Sequence, residues 1–422
     1  MCSIFRSQLA TNVWFWAGVA LVVRLALLVV VLPQIDPERI NFVDDLDYHR
    51  YGLAWAATGR YATAVNGQVV PVIERVPLYP AYLAAVYWLF GPRPEVAVIG
   101  QLLLQSLTCA MTVHLARKFA PGYVVWAGLI AALDPIAIIY VYLLFSETLF
   151  TFLLVGACCI ILTWSDRLAA WFGTGIALGL ATLTRPNALV IMPALLLLGL
   201  GHGGRQWLSR NLLAIAGLVL VMSPWLIRNQ RLTGQMVLTN WDSTYVKWAA
   251  PGGFRHTSEE EARIDQYFLH LGKGLLINHS PTGGKILARL VGLPIQELPT
   301  GVGHSFQPIV GPIVWKVLRQ KSAFEWGFVS YSTIWICATF TSVLLGFRQV
   351  LRRFDGPLWF LVAVPLLLVV SVALRGEARY RIPADALYAV VGAIGGGVIV
   401  SAWQIRRRHR SIRSPIVAPE AH

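Results

Sequence analysis

The chain is punctuated by apolar runs of about 20 residues, the length a helix needs to cross the hydrocarbon core of a bilayer. Such runs lie at about 13–32, 77–91, 96–116, 147–164, 169–184, 186–201, 211–227, 324–347, 357–374 and 382–403 of 422 residues. In lipid, backbone polar groups must pair within their own segment, so these runs predict helices. Hydrophobic residues make up 56% of the chain and charged residues 13%, and the mean hydropathy is +0.60. That balance excludes a disordered, collagen-like, coiled-coil or disulfide-stapled chain. The expected fold is all-α and polytopic, with about 10–12 transmembrane helices and two large outer loops. The first run has no small-residue cleavage site after it and reads as a retained helix, not a signal peptide.

The net charge is +14, from 35 Lys and Arg against 21 Asp and Glu. A basic balance often points to nucleic acid, but here position decides otherwise. Arg406, Arg407, Arg408, Arg410 and Arg413 crowd the tail. Arg348, Arg352 and Arg353 fill the 348–353 connection, and Arg205 and Arg210 the 202–210 connection. Lys/Arg-rich loops stay in the cytoplasm, so these three segments and the N-terminus are expected inside, with 228–322 and 375–381 outside. The apolar stretch 120–146, broken by Pro121, Gly122 and Pro135, reads either as no net crossing or as two short ones. On that reading Arg117 and Lys118 fall outside, against the charge rule. Four of the five cysteines, Cys109, Cys158, Cys159 and Cys337, lie inside apolar runs and none has metal-ligand spacing, so they read as packing residues. There is no internal repeat of the kind that builds many transporters. The expected organisation is an N-terminal transmembrane module 1–227 that includes a first outer loop 33–76, a second outer loop 228–322, C-terminal helices 323–403 and a basic tail 404–422.

Long loops in a compact fold tend to carry function. The first holds six of the 21 acids: Asp36, Glu38, Asp44, Asp45, Asp47 and Glu74. Asp44, Asp45 and Asp47 precede Tyr48 and an amphipathic stretch with Tyr51, Leu53, Ala54, Trp55 and Ala57. Such a cluster suits a solvated, N-capping turn, a general base for a hydroxyl, or a divalent cation. The loop ends in Glu74 and Arg75, just before Pro77 and the second run. Glu147, after Ser146, opens the fourth. Acids at membrane depth are candidates for function. Asp134 before Pro135 reads as a turn or cap. Arg24, well inside the first run, needs an internal partner. Arg185-Pro186-Asn187, Pro224-Trp225-x-x-Arg228-Asn229 and Arg379-Tyr380-Arg381-x-Pro383 put arginines on the outer side, where the charge bias predicts few. Guanidinium groups bind phosphate bidentately, although pairing with Glu377, Asp385 or lipid head groups is the plainer reading of any single one.

Together these pieces resemble the GT-C superfamily of polytopic glycosyltransferases, nearest to its protein O-mannosyltransferase-like and lipid A aminoarabinose transferase-like branches. The resemblance rests on Asp44-Asp45-x-x-Tyr48, Arg75-Val-Pro-Leu-Tyr-Pro, Ser146-Glu147, Leu183-Thr184-Arg185-Pro186-Asn187, Pro224-Trp225-x-x-Arg228-Asn229 and Arg379-Tyr380-Arg381-x-Pro383, in family order along the chain. It implies a multi-pass cell-membrane enzyme that uses a polyprenyl phosphate-sugar donor, and no nucleotide, on the extracytoplasmic face. It implies Asp44, with Asp45 as the nearby alternative, as the catalytic residue. Tyr48, Arg75, Arg185, Arg228, Arg379 and Arg381 would then bind the substrate and its phosphate. Glu74 and Glu147 would hold a divalent cation (Mg, Mn or Zn). Some relatives carry Glu-Lys-Pro-Pro before the second span, where this chain has Glu74-Arg75-Val76-Pro77.

A single attack by the acceptor hydroxyl would invert the anomeric carbon, and one essential acid suffices for that. The acceptor would be a lipid, a glycan or a protein; membrane lipids are partners and nucleic acid is not. The alternative is a transporter or flippase of a lipid-linked sugar. It fits less well, because the acids cluster in one outer loop rather than along the spans.

Overall fold

The computed structural model describes residues 11–31, 43–65, 68–239, 323–353, 355–372 and 382–412. The helices in order are α1 (Val13–Val31), α2 (Val43–Thr58), α3 (Leu78–Phe90), α4 (Pro94–Phe119), α5 (Val124–Ala132), α6 (Pro135–Tyr140), α7 (Glu147–Trp164), α8 (Leu168–Thr182), α9 (Met192–Leu198), α10 (Gly204–Thr233), α11 (Ala323–Arg353), α12 (Gly356–Val372) and α13 (Ile382–Ile412). Three 3-10 segments, Pro121–Tyr123, Pro186–Ile191 and Gly199–His202, extend α5 and α9. Strands β1 (Ala62–Val65) and β2 (Gln68–Pro71) form an antiparallel hairpin after α2, with Ala62 opposite Pro71.

Five described helices are long and apolar enough to cross a bilayer by length and composition, and six apolar ones are shorter. Leu197, Leu220, Ile334, Leu344 and Val370 are exposed, the apolar surface expected where lipid is the solvent. Inside, α13 packs against α4, α5, α7, α11 and α12, with Leu387, Val390, Val391 and Ala393 buried. Close approach comes from glycine. A Cβ on Gly175 of α8 would lie 2.0 Å from the Ala214 carbonyl oxygen of α10.

Hydrogen bonds fix which helix ends share a level. Lys118 Nζ donates to the Leu162 carbonyl, His114 pairs with Thr163 at 3.2 Å and Tyr123 with Ser401 at 3.4 Å. The end of α4, the end of α7 and the later part of α13 therefore lie together. At the opposite end, Tyr48 donates to Ser146 (3.3 Å) and the Leu78 amide to the Leu183 carbonyl (2.8 Å). The chain thus passes between the two ends once from Ala120 to Ser146, through α5 and α6. Neither alternative read from the sequence, no crossing or two, describes it. Arg117 and Lys118 join the basic end with Arg205 and Arg348, which removes their conflict with the charge rule.

The run at 77–91 also differs from its expected role. It forms α3, 13 residues long and so about 20 Å, short of the roughly 30 Å hydrocarbon core. Tyr79 donates to Gln101 and Tyr82 to the Ala97 carbonyl, both at 2.6 Å, so α3 runs back alongside the first turns of α4. It packs on α2, where a Cβ on Gly52 would sit 2.7 Å from Leu83 Cβ. With α2 and the hairpin it forms a layer at the Ser146 end.

Between α5 and α6 the helix breaks, and its loose ends are met by charge. Arg24 is fully buried and its Nη1 donates to the carbonyls of Ala20 (3.0 Å) and Ala132 (3.1 Å). A cation suits that helix C-terminus. Tyr331 donates to the Leu133 carbonyl. Asp134 caps α6 by accepting from the amides of Ile136 (2.9 Å) and Ala137 (3.2 Å), the capping role its place before Pro135 suggested.

Gly175→Ala is expected to lower the thermal unfolding midpoint in detergent, because α8 and α10 must part, at about 1–3 kcal/mol. Gly173→Ala, whose added Cβ would meet only Ile160 at 3.9 Å, is expected to leave the midpoint unchanged or raise it.

Candidate functional site

The site is built where the α2–α3 layer meets the ends of α7 and α8. Asp44 and Asp45 stand in the first turn of α2, and their side chains lie outside the described part. One turn on, Tyr48 is buried, with its ring edge-on to Tyr79 at 4.9 Å. The Arg75 guanidinium lies over the Tyr48 ring, 5.4 Å from its centre, and its Nη2 is 3.9 Å from Asp47 Oδ2. Tyr48 donates to Ser146 Oγ (3.3 Å), which also accepts from Arg185 Nη1 (3.4 Å). Arg185 pairs with Glu147 Oε1 at 2.5 Å. A continuous chain, Asp47–Arg75–Tyr48–Ser146–Arg185–Glu147, therefore links four stretches that are separate in sequence. Two guanidinium groups sit at its interior positions, each with a carboxylate behind it.

Glu74, expected as a metal ligand, is buried and engaged. One oxygen accepts from Tyr51 Oη at 2.5 Å and the other from the Ile73 amide at 3.1 Å. Burial, with Asp47 and Glu74 nearby, pushes the Tyr51 phenol well above its usual range, so it stays a donor. Tyr61 in turn donates to the Arg75 carbonyl at 3.2 Å. Glu147 is engaged by Arg185. Among the described residues no three His, Cys, Asp or Glu gather as metal ligands.

Arg228 is bonded to the hairpin. Its Nη1 donates to the Val72 carbonyl and to Asn229 Oδ1, and its Nη2 to the Tyr61 carbonyl, all at 3.0 Å. The group also lies 4.6 Å over the Trp225 ring. It straps the hairpin to α10, on which it sits. Arg379 and Arg381 lie outside the described residues. Sequence reasoning placed Asp47 in the acid cluster and Tyr51 in the amphipathic stretch, and gave no role to Tyr61 or His49. The spacing of Tyr48, Tyr51 and Trp55 puts those three on one helix face.

His49 anchors α2 to α3 through Tyr87 Oη, 2.9 Å from Nδ1. Burial, with a smaller effect of Arg50, pushes its pKa down to about 3, so it is neutral at ordinary pH. An unfolded histidine titrates near about 6.5. Between those values the unfolded chain binds a proton that the folded chain does not, so stability falls as the pH drops from about 6.5 towards 3. His49→Gln is expected to flatten the dependence of the thermal midpoint on pH across that window; a slope equal to that of the unsubstituted protein would assign the effect to other groups.

Residues 74–227 match the family model described as dolichyl-phosphate-mannose-protein mannosyltransferase. No curated protein matches the chain in sequence. The fold is similar to that of the Archaeoglobus fulgidus oligosaccharyltransferase in its apo form, at 14% identity and a TM-score of 0.54, over 94% of this chain and 52% of that one. The same enzyme tethered to an acceptor peptide with the NVT sequon gives 13% identity and 0.55, over 93% and 50%. ArnT from Cupriavidus metallidurans bound to undecaprenyl phosphate gives 17% identity and 0.45, over 96% and 81%. The chain spans about half the length of the oligosaccharyltransferase. It is a multi-pass membrane protein of the GT-C fold, matched over residues 74–227 by the dolichyl-phosphate-mannose-protein mannosyltransferase family.

Proposed function

We propose that the protein is a glycosyltransferase that moves a sugar from a polyprenyl phosphate-linked donor to an acceptor hydroxyl, with inversion. The observation that carries this reading is the linked pair of guanidinium groups, Arg75 and Arg185, joined through Tyr48 and Ser146 one turn from Asp44 and Asp45. The matched family acts, by its description, with dolichyl phosphate mannose. The Archaeoglobus fulgidus oligosaccharyltransferase has been seen with a dolichol-phosphate.

In this reading Asp44, or Asp45 beside it, takes the proton of the acceptor hydroxyl as its oxygen attacks the anomeric carbon. The bond from that carbon to the phosphate oxygen breaks, and its electron pair leaves with the lipid phosphate. Arg75 and Arg185 stabilise the charge that develops there. The divalent cation implied by the resemblance would fall to Asp44 and Asp45, because Tyr51, Ile73 and Arg185 engage Glu74 and Glu147. The site lies at the end opposite Arg117, Lys118, Arg205 and Arg348, which supports an extracytoplasmic active site and cytoplasmic termini. The segment expected as a second outer loop, 228–322, starts within the last turns of α10, and its part beyond Thr233 is assigned to the acceptor.

In purified protein given a polyprenyl phosphate sugar, Asp44→Asn is expected to lower kcat by about 10²–10⁴-fold. Arg75→Ala is expected to lower kcat/KM by about 10²–10³-fold. Movement of the donor across vesicles with no glycoside formed would replace this reading with that of a transporter.

A further inference from the structure

Glu147 and Arg185 form a close charged contact at 2.5 Å, and each stands where it is hard to account for alone. Arg185 directly precedes the helical stretch Pro186–Leu198, in an extended conformation (φ −151°, ψ 122°). A helix N-terminus disfavours a cation. Ser146 occupies the cap position of α7, yet its side chain makes no capping bond. Its hydroxyl instead accepts from Tyr48 and Arg185. A serine at that position ordinarily caps its helix, so here the local helix signal yields to the site. The approach to Ser146 is fixed as well: Gln101 holds the carbonyls of Val141 and Leu143, each at 2.8 Å.

We propose that Glu147 is a positioning residue: it holds the Arg185 guanidinium beside Ser146, so that Arg185 and Arg75 meet a single lipid phosphate in a fixed geometry. The inference rests on the transferase reading above. Glu147 is almost wholly buried, at 2% exposure, whereas Arg185 keeps 16%. The carboxylate is thus the inner partner and the guanidinium the one that faces the site. A guanidinium has five donors in a rigid fork, and Glu147 meets it at Nη1. The ion pair removes the cost of an uncompensated buried charge while no donor is bound. It also orients the fork before the phosphate arrives.

The test compares Glu147→Gln, Glu147→Asp, Arg185→Gln and the Glu147→Gln/Arg185→Gln double variant in the full-length protein. Each is assayed for transfer from a polyprenyl phosphate sugar and for binding of undecaprenyl phosphate, with its thermal midpoint measured alongside. Loss of orientation is expected to lower kcat of Glu147→Gln by about 10²-fold without raising the donor KM, because the cation remains. Glu147→Asp, which keeps the charge but shortens the reach, is expected to fall in between. Adding Glu147→Gln to Arg185→Gln is expected to change nothing further.

Restoration of Glu147→Gln by raised Mg or Mn would make Glu147 a metal ligand and overturn the proposal. So would additive effects, an unchanged kcat, or failure of both Glu147 variants to fold. If the unsubstituted protein neither binds the lipid phosphate nor transfers sugar, the functional reading itself fails, and that outcome is distinct from a normal protein with an indifferent Glu147.

Discussion

A guanidinium at membrane depth persists only where other groups compensate it, and this chain does so in two ways. Arg24 and Arg228 are held chiefly by backbone carbonyls: Ala20 and Ala132 for one, Val72 and Tyr61 for the other. Carbonyls fix a cation without neutralising it, and these arginines close a helix break and fasten a hairpin. Arg75 and Arg185 face carboxylates instead, Asp47 and Glu147. A carboxylate is an anion that another anion can complement or displace. The kind of partner, carbonyl or carboxylate, thus divides these four arginines into two pairs.

The outer layer depends on the same economy of partners. Helices α2 and α3 are too short and too polar or too poorly placed to cross, yet they carry much of the site. They are held by Tyr79 on Gln101, His49 on Tyr87 and Tyr48 on Ser146. Each contact takes an aromatic ring whose polar edge reaches a buried partner. The layer is therefore fixed by directed bonds as well as by burial.

The sequence disclosed the transmembrane helices because apolar runs must satisfy their own backbone; α7 begins and ends where its run does. It misdirected at 77–91 and 120–146. Hydropathy measures how apolar a segment is, not where its ends lie, and only bonds such as Tyr82 to Ala97 and Lys118 to Leu162 reveal that. The site was legible as a set of residue types: Tyr48, Arg75 and Arg185 do come together. Their division of labour was not. Arg185 and Arg228 look alike in sequence, each at a span end beside a proline or tryptophan. The Tyr61 and Val72 carbonyls that distinguish them come from a hairpin more than a hundred residues away.

The hairpin strap marks a seam in the chain. Trp225 donates to the Leu238 carbonyl at 2.7 Å, and Asn229 to the Val237 carbonyl at 2.8 Å, so α10 ends by folding back on its own last turns. Among the described residues, the bonds that α10 makes to the first outer segment come from Arg228, ahead of Leu238. A change of sequence after Leu238 would therefore leave these bonds, and the hairpin that Arg228 holds, in place.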